Sequence, residues 1–212
     1  MSLKLKNTKL LKDKAFIDGK WVETTDTFEV KNPATGELLA KVADCRENET
    51  TQAIEAAHKA FPEWSSKTAK ERASILKKWY SLIMDNIDDL AAIMTAEQGK
   101  PVKEAAGEIV YGAAFVEWFA EEGKRVYGDI IPNTAPNTRI VTLKQPVGVC
   151  GMITPWNFPS AMITRKMPPA LAAGCTVICK PAEATPLSAL ALAVLADEAG
   201  FPPGVINFIT SD

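Results

Sequence analysis

Histidine is nearly missing from this chain: His58 stands alone among 212 residues. Cysteine is sparse too, at Cys45, Cys150, Cys175 and Cys179. A structural zinc centre needs clustered thiolates and imidazoles, and the Cys175-x3-Cys179 spacing has no second cluster to complete it. No metal is therefore expected. The irregular spacing gives no disulfide framework either, and free thiols suit a reducing cytoplasm. Neither sign of charge dominates, since 24 basic residues face 26 acidic ones for a net charge of −2. That balance offers no field for nucleic acid or an anionic membrane surface. No apolar run is long enough to cross a bilayer. The lysine-rich first fourteen residues contain no secretory apolar segment and lack the arginine and serine of a transit peptide; a short surface helix is expected there. A Gly-x-Gly-x-x-Gly run, which opens many dinucleotide-binding folds, is also absent.

What remains is ordinary for a globular protein: 47% apolar and 24% charged residues, in a chain long enough to bury a full core. Its most organised stretch is residues 146–186. An uncharged, valine-rich run at 147–153 predicts a strand buried on both faces. A proline-punctuated turn, Thr154-Pro155-Trp156-Asn157-Phe158-Pro159, follows. Next come a helix over about 160–173, a stop at Gly174 and a second apolar run at 175–179. Two consecutive prolines, Pro168 and Pro169, should kink or interrupt that helix. Strand, crossover and strand form a βαβ unit with both strand C-termini at one sheet edge, where open α/β sheets bind ligands. The groups Thr154-Pro155-Trp156-Asn157 and Lys180-Pro181-Ala182-Glu183 are the places to look for chemistry.

The rest of the chain divides by pattern. Asp18-Gly19 between apolar pairs predicts a hairpin over 16–22, and extended segments at 28–30 and 38–42 flank the turn Asn32-Pro33-Ala34-Thr35-Gly36. Asn48 or Thr50 can cap a helix running to Ala60 and ending at Phe61-Pro62. Thr68 with Glu71 is a capping-box pattern opening the next helix. Helices at 87–97 and about 103–126 complete a helical layer. Residues 127–145 turn extended around a Pro/Asn-rich turn, a two-stranded ribbon that would gain from pairing with another subunit. A helix at 187–199 and a strand at 205–209 close the chain. The divisions are 1–126 as the first part of a cofactor-binding domain, 127–146 as the ribbon and oligomerisation element, and 147–212 as the βαβ part. The fold class is α/β: a Rossmann-like parallel sheet with flanking helices plus a small β-ribbon.

TPWNFP, LAAGCTVICKPAEATPLSA and GFPPGVINFIT, in this order and with EQGKP and NPATGE upstream, resemble the aldehyde dehydrogenase superfamily over essentially the whole chain. Within it, NFPSAMITRK and KPAEATPLSALALAVLADEAG are most similar to succinate-semialdehyde dehydrogenases. The resemblance implies a cysteine thiolate attacking an aldehyde, hydride passing to a nicotinamide cofactor, and a glutamate base releasing the acid.

Asn157 matches the family's oxyanion donor; a neutral amide donates without titrating. Ile153, Thr154, Pro155 and Trp156 match backbone or packing contacts to the cofactor. Lys180 and Glu183 match the residues that hold its adenosine ribose. A carboxylate accepts from ribose hydroxyls and repels a 2′-phosphate, so Glu183 favours NAD over NADP, which stays open. Arg165 matches an arginine that binds the substrate's distal carboxylate, for which a guanidinium fork is suited; the competing reading is a surface arginine beside Lys166. None of the four cysteines stands in the nucleophile's context, so the 212 residues alone are expected to be inactive. They read as the N-terminal portion of an NAD(P)-dependent semialdehyde dehydrogenase acting on succinate semialdehyde. The alternatives are another aldehyde, such as glutarate semialdehyde, or a non-catalytic nucleotide-binding or assembly remnant. Expected partners are a small-molecule aldehyde and further copies of the chain, as a dimer or tetramer.

Overall fold

The computed structural model describes residues 3–212. Near the N-terminus the expected surface helix is reduced to a single 3-10 turn, Thr8–Leu10, because Leu10 is drawn fully into the core. Residues 1 and 2 of that expected helix lie outside the described part. The predicted hairpin follows as β1 (Ala15–Ile17) and β2 (Lys20–Val22). Asp18 and Gly19 both take positive φ, 52° and 71°, the conformation a two-residue hairpin turn demands and Asp-Gly supplies at little cost. A second hairpin pairs β3 (Thr27–Lys31) with β4 (Leu38–Ala43).

Four helices come next: α1 (Glu47–Ser66), α2 (Ala69–Asp85), α3 (Ile87–Gln98) and α4 (Val102–Glu122). The α1 start differs from expectation. Arg46 rather than Asn48 or Thr50 is the N-cap residue, and its backbone N–H donates to Glu49 at 2.8 Å. The end differs as well, since α1 runs through Pro62 to Ser66. Proline removes one helical donor, but Trp64 on the next half-turn is fully buried, and its Nε1 donates to the Leu171 carbonyl at 3.2 Å. Tertiary anchoring outweighs the local break. The box at Thr68 forms as predicted: its Oγ1 accepts from the Glu71 N–H at 3.3 Å, and Glu71 accepts from the Thr68 N–H at 2.8 Å. Beyond α4 the chain tightens into a 3-10 turn, Gly123–Arg125, where a continuing helix was expected. The ribbon is shorter than its sequence pattern, only β5 (Ile130–Ile131) against β6 (Ile140–Val141).

The βαβ stretch comprises β7 (Val149–Ile153), α5 (Ala161–Thr164), α6 (Met167–Ala173) and β8 (Thr176–Lys180). The predicted interruption falls between α5 and α6, with the prolines seated in the first turn of α6, where their missing N–H is harmless. Then α7 (Pro186–Ala199) leads to β9 (Ile206–Phe208). The main sheet is ordered β2-β1-β9-β8-β7; β7, β8 and β9 are parallel, while β1 joins β9 antiparallel.

Side chains alternate across this sheet. Val177 and Cys179 join Phe208, the α2–α4 layer and α7 on one face, while Ile178 meets Ala53 and Ala57 of α1 on the other. Helix α7 is apolar on nearly every side because it is enclosed between the sheet and α2 and α3. Within these 212 residues β7 lies at the edge of the sheet and one of its faces is half open, short of the two-sided burial expected. Cys150 and Met152 point into the helical layer, but Gly151 and Ile153 are exposed, Ile153 at 79%. Among the described residues no strand pairs with the outer edge of β7.

Candidate active site

Strands β7 and β8 end level with each other. Ile153 pairs with Lys180, and the Thr154 N–H donates to the Lys180 carbonyl at 3.1 Å. The Thr154–Asn157 and Lys180–Glu183 segments therefore leave the same sheet edge, as a βαβ unit requires. Thr154 is buried, whereas Pro155, Trp156 and Asn157 are exposed.

On the α1 face this edge opens into a groove of about 700 Å³, with Val149, Gly151 and Ile153 of β7, Ile178 and Lys180 of β8, and Ile54 of α1 among its walls. Gly151 is the residue here that sequence reasoning passed over. A Cβ on it would meet nothing within 4 Å, so internal packing does not require glycine; the missing side chain leaves room along the groove floor. Lys180 lines the groove, with its Nζ 3.7 Å from Oε2 of Glu183, and both side chains are partly open to solvent. The aliphatic wall can take an apolar ring, and a carboxylate beside a cation can accept from hydroxyl groups.

Asn157 and Arg165 are held on the helical side. Among the described residues no group accepts from the Asn157 side-chain amide, which leaves its N–H free to donate outward. Arg165, at the α5–α6 break, is exposed; its Nη2 donates to the Tyr111 hydroxyl at 2.7 Å, and its guanidinium lies 5.3 Å from the Phe115 ring centre. Tyr111 and Phe115 pack edge-on with centroids 5.0 Å apart. This aromatic ledge on α4 sets the direction of the cation. The kink caused by Pro168 and Pro169 thus leaves Arg165 braced.

Three further charged residues were missed. Glu97, buried at the end of α3, accepts from the backbone N–H groups of Leu187 and Ser188, each at 2.7 Å, and so caps α7. Glu108 accepts from Ser160 and Ala161 N–H at 3.0 and 3.1 Å at the head of α5. Its other oxygen pairs with Lys100, whose ammonium also donates to the Asn157 carbonyl at 3.1 Å. The signal was available in the sequence: Glu108 interrupts the stripe Ala105, Ile109, Gly112, Ala113 and Val116. A charge at an inward position announces a partner.

Burial pushes the Glu97 carboxyl up from 4.5 to about 7, against the hydrogen bonds from Ser188 and Leu187 that favour its anion. The folded state thus keeps a proton between pH 4.5 and 7 that the unfolded chain has released. Stability from this group is fully present below about pH 4.5 and is lost as pH rises through 7, by at most roughly 3 kcal/mol. Melting temperatures between pH 4 and 8 should fall with pH more steeply for the wild type than for Glu97→Gln. Parallel curves would contradict this.

Burial likewise raises the Cys45 and Cys150 thiols to about 11 and Cys179 to about 12. At neutral pH these three are thiols, without the thiolate character a nucleophile needs. Among the described residues no three His, Cys, Asp or Glu side chains gather to hold a metal ion, and no helix is long and apolar enough to cross a membrane.

The sequence profile of the aldehyde dehydrogenase family matches residues 21–212. A glutarate-semialdehyde dehydrogenase of Pseudomonas aeruginosa is 57% identical over 210 residues, 98% of this chain and 44% of the relative. The crystal structure of a succinate-semialdehyde dehydrogenase from Burkholderia pseudomallei superposes with a TM-score of 0.97 at 56% identity, over 99% of this chain and 44% of that one. An NADP-dependent enzyme of E. coli superposes with a TM-score of 0.97 at 54% identity, with the same coverage. The chain spans less than half the length of these relatives.

Proposed function

This chain belongs to the aldehyde dehydrogenase family, and we propose that it is the N-terminal portion of an enzyme oxidising a short aldehyde with a distal carboxylate. Succinate semialdehyde is the leading substrate and glutarate semialdehyde the second, since relatives of both kinds share more than half of these residues. The observation that carries the reading is Arg165, exposed yet braced by Tyr111 and Phe115 at the end of the short helix that follows the Asn157 loop. A guanidinium so held offers a planar fork to the acid end of the substrate. The Asn157 amide then donates to the oxygen that becomes negative when the aldehyde carbon turns tetrahedral.

For the cofactor, the residues that would hold it are Ile153, Thr154, Pro155 and Trp156 along the end of β7, with Lys180 and Glu183 at the ribose. When bound, the nicotinamide accepts the hydride. Glu183 favours NAD by repelling a 2′-phosphate, but it also sits beside Lys180, which can offset that repulsion. NADP therefore remains the second cofactor, in keeping with the E. coli relative. The thiolate nucleophile and general base belong, in this reading, to the part of the relatives that this chain does not span, since none of the four cysteines stands in the family's nucleophile context. The β5–β6 ribbon, with Ile130 at 83% exposure and Leu143 just past β6 at 78%, is the proposed contact between copies in a dimer or tetramer.

In the complete protein, Arg165→Ala should raise KM for succinate semialdehyde roughly 10- to 100-fold, the worth of a charge-assisted hydrogen-bonded pair. KM for propanal should move by less than about threefold. Equal changes for both aldehydes would remove the acid-end assignment, and kcat/KM for the four- and five-carbon semialdehydes ranks the two substrates.

A further inference from the structure

The Lys100–Glu108 ion pair is almost wholly buried, with side chains 11% and 1% exposed. Taking two charges out of water is costly, and an apolar pair of similar volume often serves stability as well or better. What this pair adds is direction. Each partner directs its remaining hydrogen-bonding capacity to the loop after β7. Lys100 Nζ donates to the Asn157 carbonyl at 3.1 Å and lies 4.0 Å from the Phe158 ring centre. Glu108 fixes the Ser160 and Ala161 N–H groups. The loop is thereby pinned on both sides of Pro159, whose ring already restricts its φ.

We infer that Lys100 and Glu108 are a positioning pair for the Asn157 amide, holding its backbone where the side chain reaches the developing oxyanion. This rests on the reading of Asn157 as oxyanion donor. Neither residue touches the reacting atoms; both act through the loop. Preorganised donors lose value quickly with displacement, and a shift of about 1 Å can cost on the order of 100-fold in rate. A purely structural pair would instead affect stability and leave the turnover of folded enzyme alone.

The test is a double-mutant cycle in the complete protein, assayed with NAD and succinate semialdehyde. Lys100→Met should lower kcat roughly 10- to 100-fold while KM and NAD affinity stay within about threefold. In an Asn157→Ala background the same substitution should lower kcat by less than about threefold more, because the group it positions is gone. A folded Lys100→Met enzyme with unchanged kcat overturns the inference, as does full additivity with Asn157→Ala. If Lys100→Met does not fold, Glu108→Gln carries the same cycle and the same two outcomes, since it removes the charge that aims Lys100 at the Asn157 carbonyl while leaving an acceptor that supports the head of α5. A wild-type protein that oxidises no aldehyde overturns the Asn157 reading and this inference together; an active wild type with unimpaired variants overturns the positioning role alone.

Discussion

Replacing Asn157 with alanine in the complete protein should cut kcat by about 100- to 1000-fold, the usual cost of deleting one oxyanion donor. The reason lies in when the interaction forms. A ground-state aldehyde oxygen carries little charge and gains little from the amide, whereas the tetrahedral oxyanion depends on it, so KM should move by less than about threefold. Because the side chain is exposed and has no hydrogen-bond partner among the described residues, its removal orphans nothing and should leave folding intact. Asn157→Asp should be at least as damaging, since a carboxylate repels the charge the amide stabilises. Steady-state kinetics together with a melting curve decide the matter: a kcat within a fewfold of wild type, from a folded protein, would strip Asn157 of its role.

The largest expected change in stability is at Trp64. Trp64→Ala should cost about 3–5 kcal/mol, through lost burial and the cavity left behind. The indole is fully buried, donates to the Leu171 carbonyl and packs on Phe201 with centroids 5.6 Å apart. It ties the last turn of α1 to α6, so its loss should also free the helix to end near Pro62. At about 2–4 °C per kcal/mol for a domain of this size, the midpoint should fall by roughly 6–20 °C. Trp118, 62% exposed on α4, is the control; its alanine variant should stay within about 0.5 kcal/mol, as surface substitutions usually do. Equal losses at the two positions would mean that burial in this structure does not govern stability.

Much of this molecule follows from local rules. Asp18-Gly19 supplies the positive φ of the hairpin turn, Thr68 and Glu71 satisfy each other's donors, and the paired prolines split α5 from α6. Each depends on residues a few positions apart, so the sequence alone determines it. The same holds for the order of strand, crossover and strand that brings Thr154–Asn157 and Lys180–Glu183 to one edge. The alignment of that edge, Ile153 beside Lys180, follows from the parallel register.

Other features depended on groups far apart in the chain. Pro62 reads as a helix end, and only Trp64 reaching Leu171, 107 residues away, keeps α1 intact. The run at 147–153 looks equally apolar whether its strand is central or at an edge; within these 212 residues the strand order sets β7 beside β8 and leaves Ile153 exposed. Glu97 and Glu108 read as helix residues until α7 and α5 bring bare N–H groups against them, and Lys100 reads as a turn lysine until Glu108 and the Asn157 carbonyl meet its ammonium. Periodicity and turn chemistry report what neighbours along the chain demand. A buried charge, an open groove and a braced arginine are settled by which surfaces meet, because desolvation depends on everything packed around a group, whatever its distance in sequence.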